Sequence, residues 1–328
     1  MTSTPLLHGH EQARSLLPRL AAHAFLFVGP DRVGRRRLAA WYAALLNCRA
    51  PVPAPATGQP RAGGSLDDPP LEPCGSCDSC RAMALGDHPD YREVAPEAWT
   101  KSGRKSRRPE LRIEQLVPRE GAEVEPLSRW LEKRPRFAWR VGVIDGAHTL
   151  SPGAANAFLK MLEEPPSYAR IILIAPGGHS VLPTIASRCV LLRLQAVDPG
   201  SLSISLPYDH PAARLGKPGD LIRASEDATS FGQVVLALKH YLAALSGPLE
   251  QAFEATRQLE RLLTEESAFD VVEMLRGIVS EQPAPVYAGA LDAIDDCEAA
   301  LSDYASSALA VKVLTLRLRA AIRSPDRS

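Results

Sequence analysis

The sequence has no excess of either charge. Its 328 residues contain 38 Lys plus Arg and 38 Asp plus Glu, for a formal net charge of +0. Such a chain has no global positive field with which to capture nucleic acid through its phosphates, so any contact with DNA must be local or shared with partners. A dense basic stretch, KSGRKSRR at residues 101–108, is predicted to be a solvated loop, with a DNA contact as the alternative.

Long apolar runs are also missing. No segment is long enough to span a bilayer, and the first residues, MTSTPLLHGHEQARSLL, lack the basic segment and apolar run of a secretory signal. We therefore expect a cytoplasmic protein. No internal repeat at a fixed period is visible, which argues against a solenoid.

Cysteine is scarce, and its spacing argues against a secreted disulfide framework. Of six cysteines, three repeat as C-x2-C-x2-C at Cys74, Cys77 and Cys80, which is a spacing typical of metal sites. Cys48 can supply a fourth thiolate, and four sulfur ligands fit a tetrahedral, structural zinc ion without an open position for water. An iron–sulfur cluster, unrelated free thiols and ligation by His88 are the alternatives, although His88 is followed by Pro and Asp as in a turn.

Short apolar runs alternate with helical patterns in the first part of the chain. The runs cover residues 23–29, 140–146 and 170–176, and the first is followed by a helical pattern over residues 36–46. This alternation predicts an α/β domain with a parallel sheet that helices cover on both faces. Pro, Ala and Gly dominate residues 50–73, which predicts an insertion without regular structure.

Only helical spacing continues after about residue 197. Apolar positions recur at this spacing at Val234, Val235, Leu238, Leu242 and Leu245. They recur again at Leu301, Tyr304, Ala308, Val311 and Leu314, which predicts one last helix over these residues. We predict an α/β domain over residues 1–196 with a zinc module over about 48–90, a small helical lid over 197–230 and an all-α domain over 231–328.

The residues GPDRVGRR have the frame of a phosphate-binding loop. Gly29 and Gly34 follow an apolar run in G-x-x-x-x-G spacing and precede a helix, so that backbone N–H groups can cradle phosphates. A working loop continues with Lys, which reaches the outer phosphates, and Ser or Thr, which holds magnesium; here those positions are Arg35 and Arg36. Arg35 can pair with a phosphate, but arginine cannot ligate a metal ion. We expect weak nucleotide binding or none, and no productive binding of ATP with Mg²⁺.

The end of the second apolar run lacks a general base. Asp145 would usually be followed by Glu, which polarises the attacking water, but Gly146 stands there. The glycine predicts a tight turn, with a nucleotide contact as the alternative. Neither interpretation supplies a group that could activate water.

Four sequence blocks together resemble those of bacterial clamp-loader subunits of the AAA+ class. They lie within residues 7–194 and read GPDRVGRR, CGSCDSC with GDHPD, VIDGAHTLSPGAANAFLKMLEEPP, and LPTIASRC. The resemblance implies an AAA+ domain with a zinc module, a small helical lid, and a helical collar that packs subunits into an open ring. It also implies gamma/tau ATPase subunits and a delta subunit as partners, and the sliding clamp and primed DNA as partners of the complex.

The resemblance assigns a role to the Ser187-Arg188-Cys189 motif. In this family the arginine of the motif points into the nucleotide site of a neighbouring subunit, where its charge stabilises the transferring phosphoryl group. Arg188 is therefore expected to act in trans on an ATPase subunit, with an intramolecular salt bridge as the alternative. Cys189 is expected to be a packing residue, as is Cys297.

Four departures from the active members of the family indicate the class of subunit. They are Arg35 with Arg36, Gly146, Ala175-Pro176-Gly177 without a polar sensor residue, and Gly219-Asp220 without the lid arginine. Together with the retained Arg188 they resemble the delta prime class, which donates an arginine but does not turn over ATP. We expect a non-enzymatic subunit of the DNA polymerase III holoenzyme that helps load the clamp onto primed DNA. The alternatives are an ATP-hydrolysing gamma/tau-type motor and a zinc-dependent DNA-binding protein.

Overall fold

The structure, a computed structural model, describes residues 7, 9–54, 71–96, 111–119, 124–197, 219, 228–264, 271–279, 284–302 and 306–323. The chain divides into two compact units, Met1–Val197 and Asp198–Ser328. The basic stretch at 101–108, most of the Pro-rich insertion, Asp220 and nearly all of the predicted lid lie outside the described residues. The three-domain division stays a prediction.

The first unit alternates strands and helices. Its strands are β1 (Ala24–Val28), β2 (Val52–Pro53), β3 (Leu71–Glu72), β4 (Tyr91–Val94), β5 (Arg140–Asp145), β6 (Ala169–Ala175) and β7 (Val190–Arg193). Its helices are α1 (Glu11–Leu16), α2 (Arg35–Leu46), α3 (Asp78–Leu85), α4 (Ile113–Leu116), α5 (Leu127–Leu131), α6 (Pro152–Glu163) and α7 (Pro183–Ala186). Short 3₁₀ turns cover Leu17–Arg19, Ala147–Thr149 and Gly178–Ser180.

Five of these strands form one parallel sheet in the order β4-β5-β6-β1-β7. The three predicted apolar runs became β1, β5 and β6, with Phe25 paired to Ile172 and Val143 to Ile172 on the other side. The predicted parallel sheet is confirmed. The sequence did not reveal β7, a short edge strand whose first two residues are exposed.

Alternate residues of each strand enter cores on opposite faces of the sheet. In β1, Phe25 and Phe27 pack with α2 residues such as Trp41, whereas Leu26 packs on the other face with Phe158 of α6. Ser151 caps α6 by accepting the backbone N–H of Ala154. Both faces are thus covered by helices, as the continuous apolar strands predicted.

The described part of the second unit is helical. Its helices are α8 (Ala228–Ser246), α9 (Leu249–Thr264), α10 (Val271–Val279), α11 (Ala284–Ser302) and α12 (Ser307–Arg323). The apolar spacing from Leu301 to Leu314 predicted a single helix, and this is wrong, because α11 ends at Ser302 and α12 begins at Ser307. No helix among the described residues has the length and apolar character needed to cross a membrane.

Two buried polar side chains hold the segment that leads into β5. The Asp90 carboxylate, fully buried, accepts the backbone N–H groups of Arg136 at 2.9 Å and Phe137 at 2.7 Å, and lies 3.4 Å from Nη1 of Arg140. Asn47 Oδ1 accepts the next two backbone N–H groups, at 3.0 and 2.9 Å. The entry to β5 is therefore fixed by the side chain of the residue after α2 and by that of the residue before β4.

We expect Asp90→Asn to lower the free energy of unfolding by about 2–4 kcal/mol, because it removes the charge that compensates buried Arg140 and one backbone acceptor. Chemical denaturation monitored by circular dichroism would measure this. Asp87→Asn is the matched control, since Asp87 is exposed and the same change there should cost less than about 0.5 kcal/mol. Equal losses in the two variants would contradict the role given to Asp90.

Candidate functional site

The phosphate-loop frame lies between β1 and α2, and its first residue must be glycine because another part of the backbone packs against it. Gly29 has a φ of +154°, and a Cβ at this position would lie 2.2 Å from the carbonyl oxygen of Leu194. Its N–H donates to the carbonyl of Pro176 at 3.1 Å. Gly34, with a φ of +107°, directly precedes α2. The loop therefore has the frame of a phosphate cradle at the carboxyl edge of the sheet.

Arg35 turns inward, where the lysine of a working loop would reach outward to phosphates. Its side chain is 10% exposed, its Nη1 donates to the carbonyl of Ala175 at 2.6 Å, and its Nη2 forms an ion pair with Asp31. A phosphate would have to compete with both protein partners for this guanidinium. The sequence indicated the residue type at this position but not these partners.

Arg36 stands at the magnesium-hydroxyl position and faces carboxylates. It forms an ion pair with Glu93 of β4. The hydrogen bond with Glu93 raises the pKa of Arg36 above its usual range against the opposing effect of desolvation, and the charge of Asp145 raises it further. Magnesium needs oxygen ligands, so a guanidinium in place of the hydroxyl does not fit that ion.

Gly146 forms the tight turn that the sequence predicted. Its φ is +84°, its N–H donates to the carbonyl of Ile174 at 3.1 Å, and its own carbonyl accepts the hydroxyl of Thr149 at 2.8 Å. A Cβ here would lie 2.9 Å from Cγ of Pro96. A larger side chain next to Asp145 would therefore strain the backbone and displace Pro96.

Two histidines near the loop were not identified from the sequence. His10 Nε2 lies 2.6 Å from the carbonyl oxygen of Val33, and burial lowers the pKa of His10. His148 follows Gly146 in a 3₁₀ turn, and burial also lowers its pKa, although Asp31 acts in the opposite direction. No motif signalled either residue, because each is placed by the backbone path around the loop and not by its sequence neighbours.

The structure brings all four predicted cysteines together. The Sγ atoms of Cys48, Cys74, Cys77 and Cys80 lie within 4.8 Å of one another, and those of Cys74 and Cys80 are 4.0 Å apart. Sulfur atoms bound to one tetrahedral zinc ion at about 2.3 Å would be separated by roughly 3.8 Å. These residues therefore fit a metal ion with four thiolate ligands.

The surroundings of the cluster favour a thiolate at Cys74. Hydrogen bonds from the hydroxyl and backbone N–H of Ser76, and from the backbone N–H of Cys77, lower the pKa of Cys74 to about 6. His88 does not join the group, because Nε2 lies 3.0 Å from the Ser79 hydroxyl and Nδ1 accepts the N–H of Asp90. The alternative of His88 as a ligand is wrong for this structure.

The antiparallel pair of β2 and β3, next to Cys48 and Cys74 in the sequence, is attached to the first two helices. Glu72 of β3 accepts the indole N–H of Trp41 at 2.7 Å and forms an ion pair with Arg14. The Arg14 guanidinium also lies over the Trp41 ring, 5.6 Å from its centroid. The described ends of the Pro-rich insertion are thus joined to α1 and α2.

Arg188 lies on the surface in an intramolecular ion pair. Its Nε and Nη2 donate to Glu163 Oε1 at 2.8 and 2.5 Å, and its Nη1 donates to the carbonyl of Thr184 at 2.8 Å. The side chain is 35% exposed to solvent. The intramolecular salt bridge, which is the alternative to an action in trans, therefore forms in the chain on its own.

Cys189 is partly buried against the core, and burial raises its pKa to about 12, in agreement with a packing residue.

Comparison with known proteins links the α/β unit to DNA replication. Residues 13–198 match the family described as DNA polymerase III, delta subunit. The chain is 34% identical over 169 residues to DNA polymerase III subunit delta' of Pseudomonas aeruginosa, covering 52% of this chain and 42% of that protein. It is 28% identical over 261 residues to DNA polymerase III subunit tau of Escherichia coli, covering 77% of this chain and 34% of that protein. The matched region spans less than half the length of either relative.

A solved structure extends the likeness of fold to both units. A DNA polymerase III gamma subunit-related protein from Thermotoga maritima superimposes with a TM-score of 0.50 at 15% identity, covering 95% of this chain and 99% of that one. At this identity the likeness concerns the fold alone. Because the family match covers more than half of its residues, the chain belongs to the DNA polymerase III delta subunit family of clamp-loader proteins.

Proposed function

We propose that this chain is a non-hydrolysing, delta prime-like subunit of the replicative clamp loader, which helps load the sliding clamp onto primed DNA. The proposal rests on a phosphate-loop frame with Arg35 and Arg36 at the lysine and hydroxyl positions, combined with an accessible Arg188 in the Ser-Arg-Cys motif. The similarity to delta' proteins supports this assignment, and the similarity to tau proteins makes a motor subunit the second candidate.

Three features argue against ATP hydrolysis by this chain. Arg35 is held by Asp31 and the Ala175 carbonyl, and Arg36 by Glu93, so neither is directed at a phosphate. Glycine occupies the position after Asp145, in a turn that disfavours a side chain such as glutamate. Catalysis of phosphoryl transfer depends on a positioned metal ion and an oriented water, and this site retains Asp145 but lacks the loop hydroxyl and the glutamate.

Arg188 is suited to act on a neighbour. Its ion pair with Glu163 is half-exposed, and exposed pairs of this kind contribute only about 0–1 kcal/mol, so that a polyphosphate in another subunit can compete for the guanidinium. The planar guanidinium matches phosphate oxygens in two-point geometry. The partners implied are gamma/tau ATPase subunits and the delta subunit in a cytoplasmic hetero-oligomer, with the clamp and DNA contacted through the complex.

The second unit offers a surface for such assembly. On α12, Leu309, Val313 and Leu316 are 60%, 45% and 49% exposed, at spacings of four and three residues that place them on one face of the helix. An exposed apolar face supports packing against another subunit. We therefore assign oligomerisation, as a helical collar, to this unit.

We further propose that the cysteine cluster holds a structural zinc ion. Four thiolates would complete a tetrahedral site without an open position, and such a site contributes to folding and not to catalysis. The zinc would join Cys48 at the end of α2 to Cys74, Cys77 and Cys80 around the start of α3, and so close the Pro-rich insertion.

Removing the arginine tests the action in trans. In a reconstituted loader whose only active ATPase site faces this subunit, we expect Arg188→Ala to lower clamp- and DNA-stimulated ATP turnover by about 10²–10³-fold, because a charge that stabilises the transition state is lost. Arg188→Lys should recover only a part of the rate, since lysine lacks the planar fork.

Arg193→Ala is the matched control for this measurement, because Arg193 is an exposed arginine on neighbouring β7 and should leave turnover unchanged. Size-exclusion chromatography of each complex would establish that assembly is intact. Unchanged turnover in an assembled Arg188→Ala loader would overturn the proposed function in trans.

Nucleotide titration separates the delta prime-like subunit from the motor. We expect the isolated chain to show no Mg²⁺-dependent ATP binding by calorimetry at submillimolar nucleotide and no ATP turnover. A gamma/tau-type motor must bind ATP with magnesium in order to hydrolyse it. Stoichiometric Mg·ATP binding with turnover would therefore favour the motor.

Metal analysis tests the zinc site. We expect one zinc ion per chain by inductively coupled plasma mass spectrometry, and Cys74→Ser should lower the zinc content and destabilise the first unit, because thiolate ligands hold the module. Cys297→Ser is the control, since Cys297 is a buried cysteine of the second unit. Iron and sulfide in the purified protein, or wild-type zinc content in Cys74→Ser, would contradict the proposal.

A further inference from the structure

Two carboxylates from adjacent strands lie near the first turn of α2. Glu93 of β4 and Asp145 of β5 belong to strands that pair in parallel, with Glu93 opposite Val143. The Glu93 side chain is 14% exposed, and its Oε2 accepts the hydroxyl of Tyr91 at 3.2 Å. Two acidic groups in a partly desolvated region repel each other unless a cation compensates them.

Arg36 is the cation in this arrangement. Its Nε forms an ion pair with Glu93, and Asp145 also acts on it electrostatically. In magnesium-binding phosphate loops, the compensating charge is a metal ion held between the loop hydroxyl and the strand aspartate. Here the chain places its own positive charge at the hydroxyl position, and the strand aspartate is retained as Asp145.

We propose that Arg36 is an internal substitute for the divalent cation, which compensates Glu93 through their ion pair and part of the charge of Asp145, and holds the first turn of α2 to β4. The phosphate-loop frame then keeps its shape without metal or nucleotide. In a loop that relies on magnesium, the same carboxylates would be compensated only while the ion is bound. This inference concerns the stability of the loop in the isolated chain and does not depend on the action of Arg188 in trans.

The inference predicts a metal response in a variant and none in the parent protein. The experiment uses Chelex-treated buffer and protein whose cysteine site holds zinc. The wild-type melting temperature should not change when MgCl₂ is added to about 10 mM, a concentration at which weak oxygen sites fill. Arg36→Thr restores the loop hydroxyl and uncovers the carboxylates. Its melting temperature should fall by roughly 2–4 °C without metal and recover when Mg²⁺ or Mn²⁺ is added.

Three further variants make the test specific. Arg36→Lys keeps the charge and should melt near the wild-type temperature without a metal response. Arg37→Thr, the same change one residue further along α2, should show no recovery with Mg²⁺. Arg36→Thr combined with Glu93→Gln removes the repulsion, and should regain stability while losing the metal response.

The outcomes separate a charge effect from a packing effect. Wild-type stability in Arg36→Thr, or a loss that neither metal ion nor Glu93→Gln reverses, would overturn the inference. If Arg36→Thr does not fold, a folded Arg36→Lys and a folded double variant would support it, and an unfolded double variant would overturn it. None of these measurements uses ATP turnover, so failure here is distinguishable from failure of the proposed function.

Discussion

The parallel sheet, buried on both faces, determines where the functional groups can lie. Parallel strands bring their carboxyl ends to one edge, where β1, β5 and β6 are followed by Gly29, Gly146 and Pro176. The hydrogen bond from Gly29 to the Pro176 carbonyl joins two of these segments, and that from Gly146 to Ile174 joins the third. The phosphate-loop frame thus follows from hydrogen bonding among strands that hydrophobic burial has already placed.

Much of this framework was readable from the sequence because it is governed by local patterns. Apolar runs bounded by turn residues predicted β1, β5 and β6, and the spacing of Cys74, Cys77 and Cys80, with Cys48 as the fourth thiolate, predicted the cluster that the structure forms. In contrast, β7 is a short edge strand, and the burial of Asp90 depends on backbone N–H groups about 46 residues away. Interactions between distant segments leave no periodic signal in a single sequence.

In the candidate site, the sequence likewise indicated the type of each residue but not its interaction partners. The loss of lysine and hydroxyl at Arg35 and Arg36 is visible in the sequence, but their pairing with Asp31 and Glu93 requires the fold. Arg188 was expected from the motif, whereas its ion pair with Glu163 depends on how α6 and α7 meet. A motif therefore indicated which side chains matter, and the fold determined which carboxylates restrain them.

The close approach of Gly29 to Leu194 gives the first loop glycine a use that is unrelated to nucleotide. Leu194 directly follows β7, and its N–H donates to the Val28 carbonyl at 2.7 Å, so β7 can align beside β1 only where no Cβ intervenes. The strand that this glycine admits is the one entered from the Ser187-Arg188-Cys189 motif. A side chain at position 29 would therefore displace β7 and the turn that carries Arg188, even in a chain that binds no nucleotide.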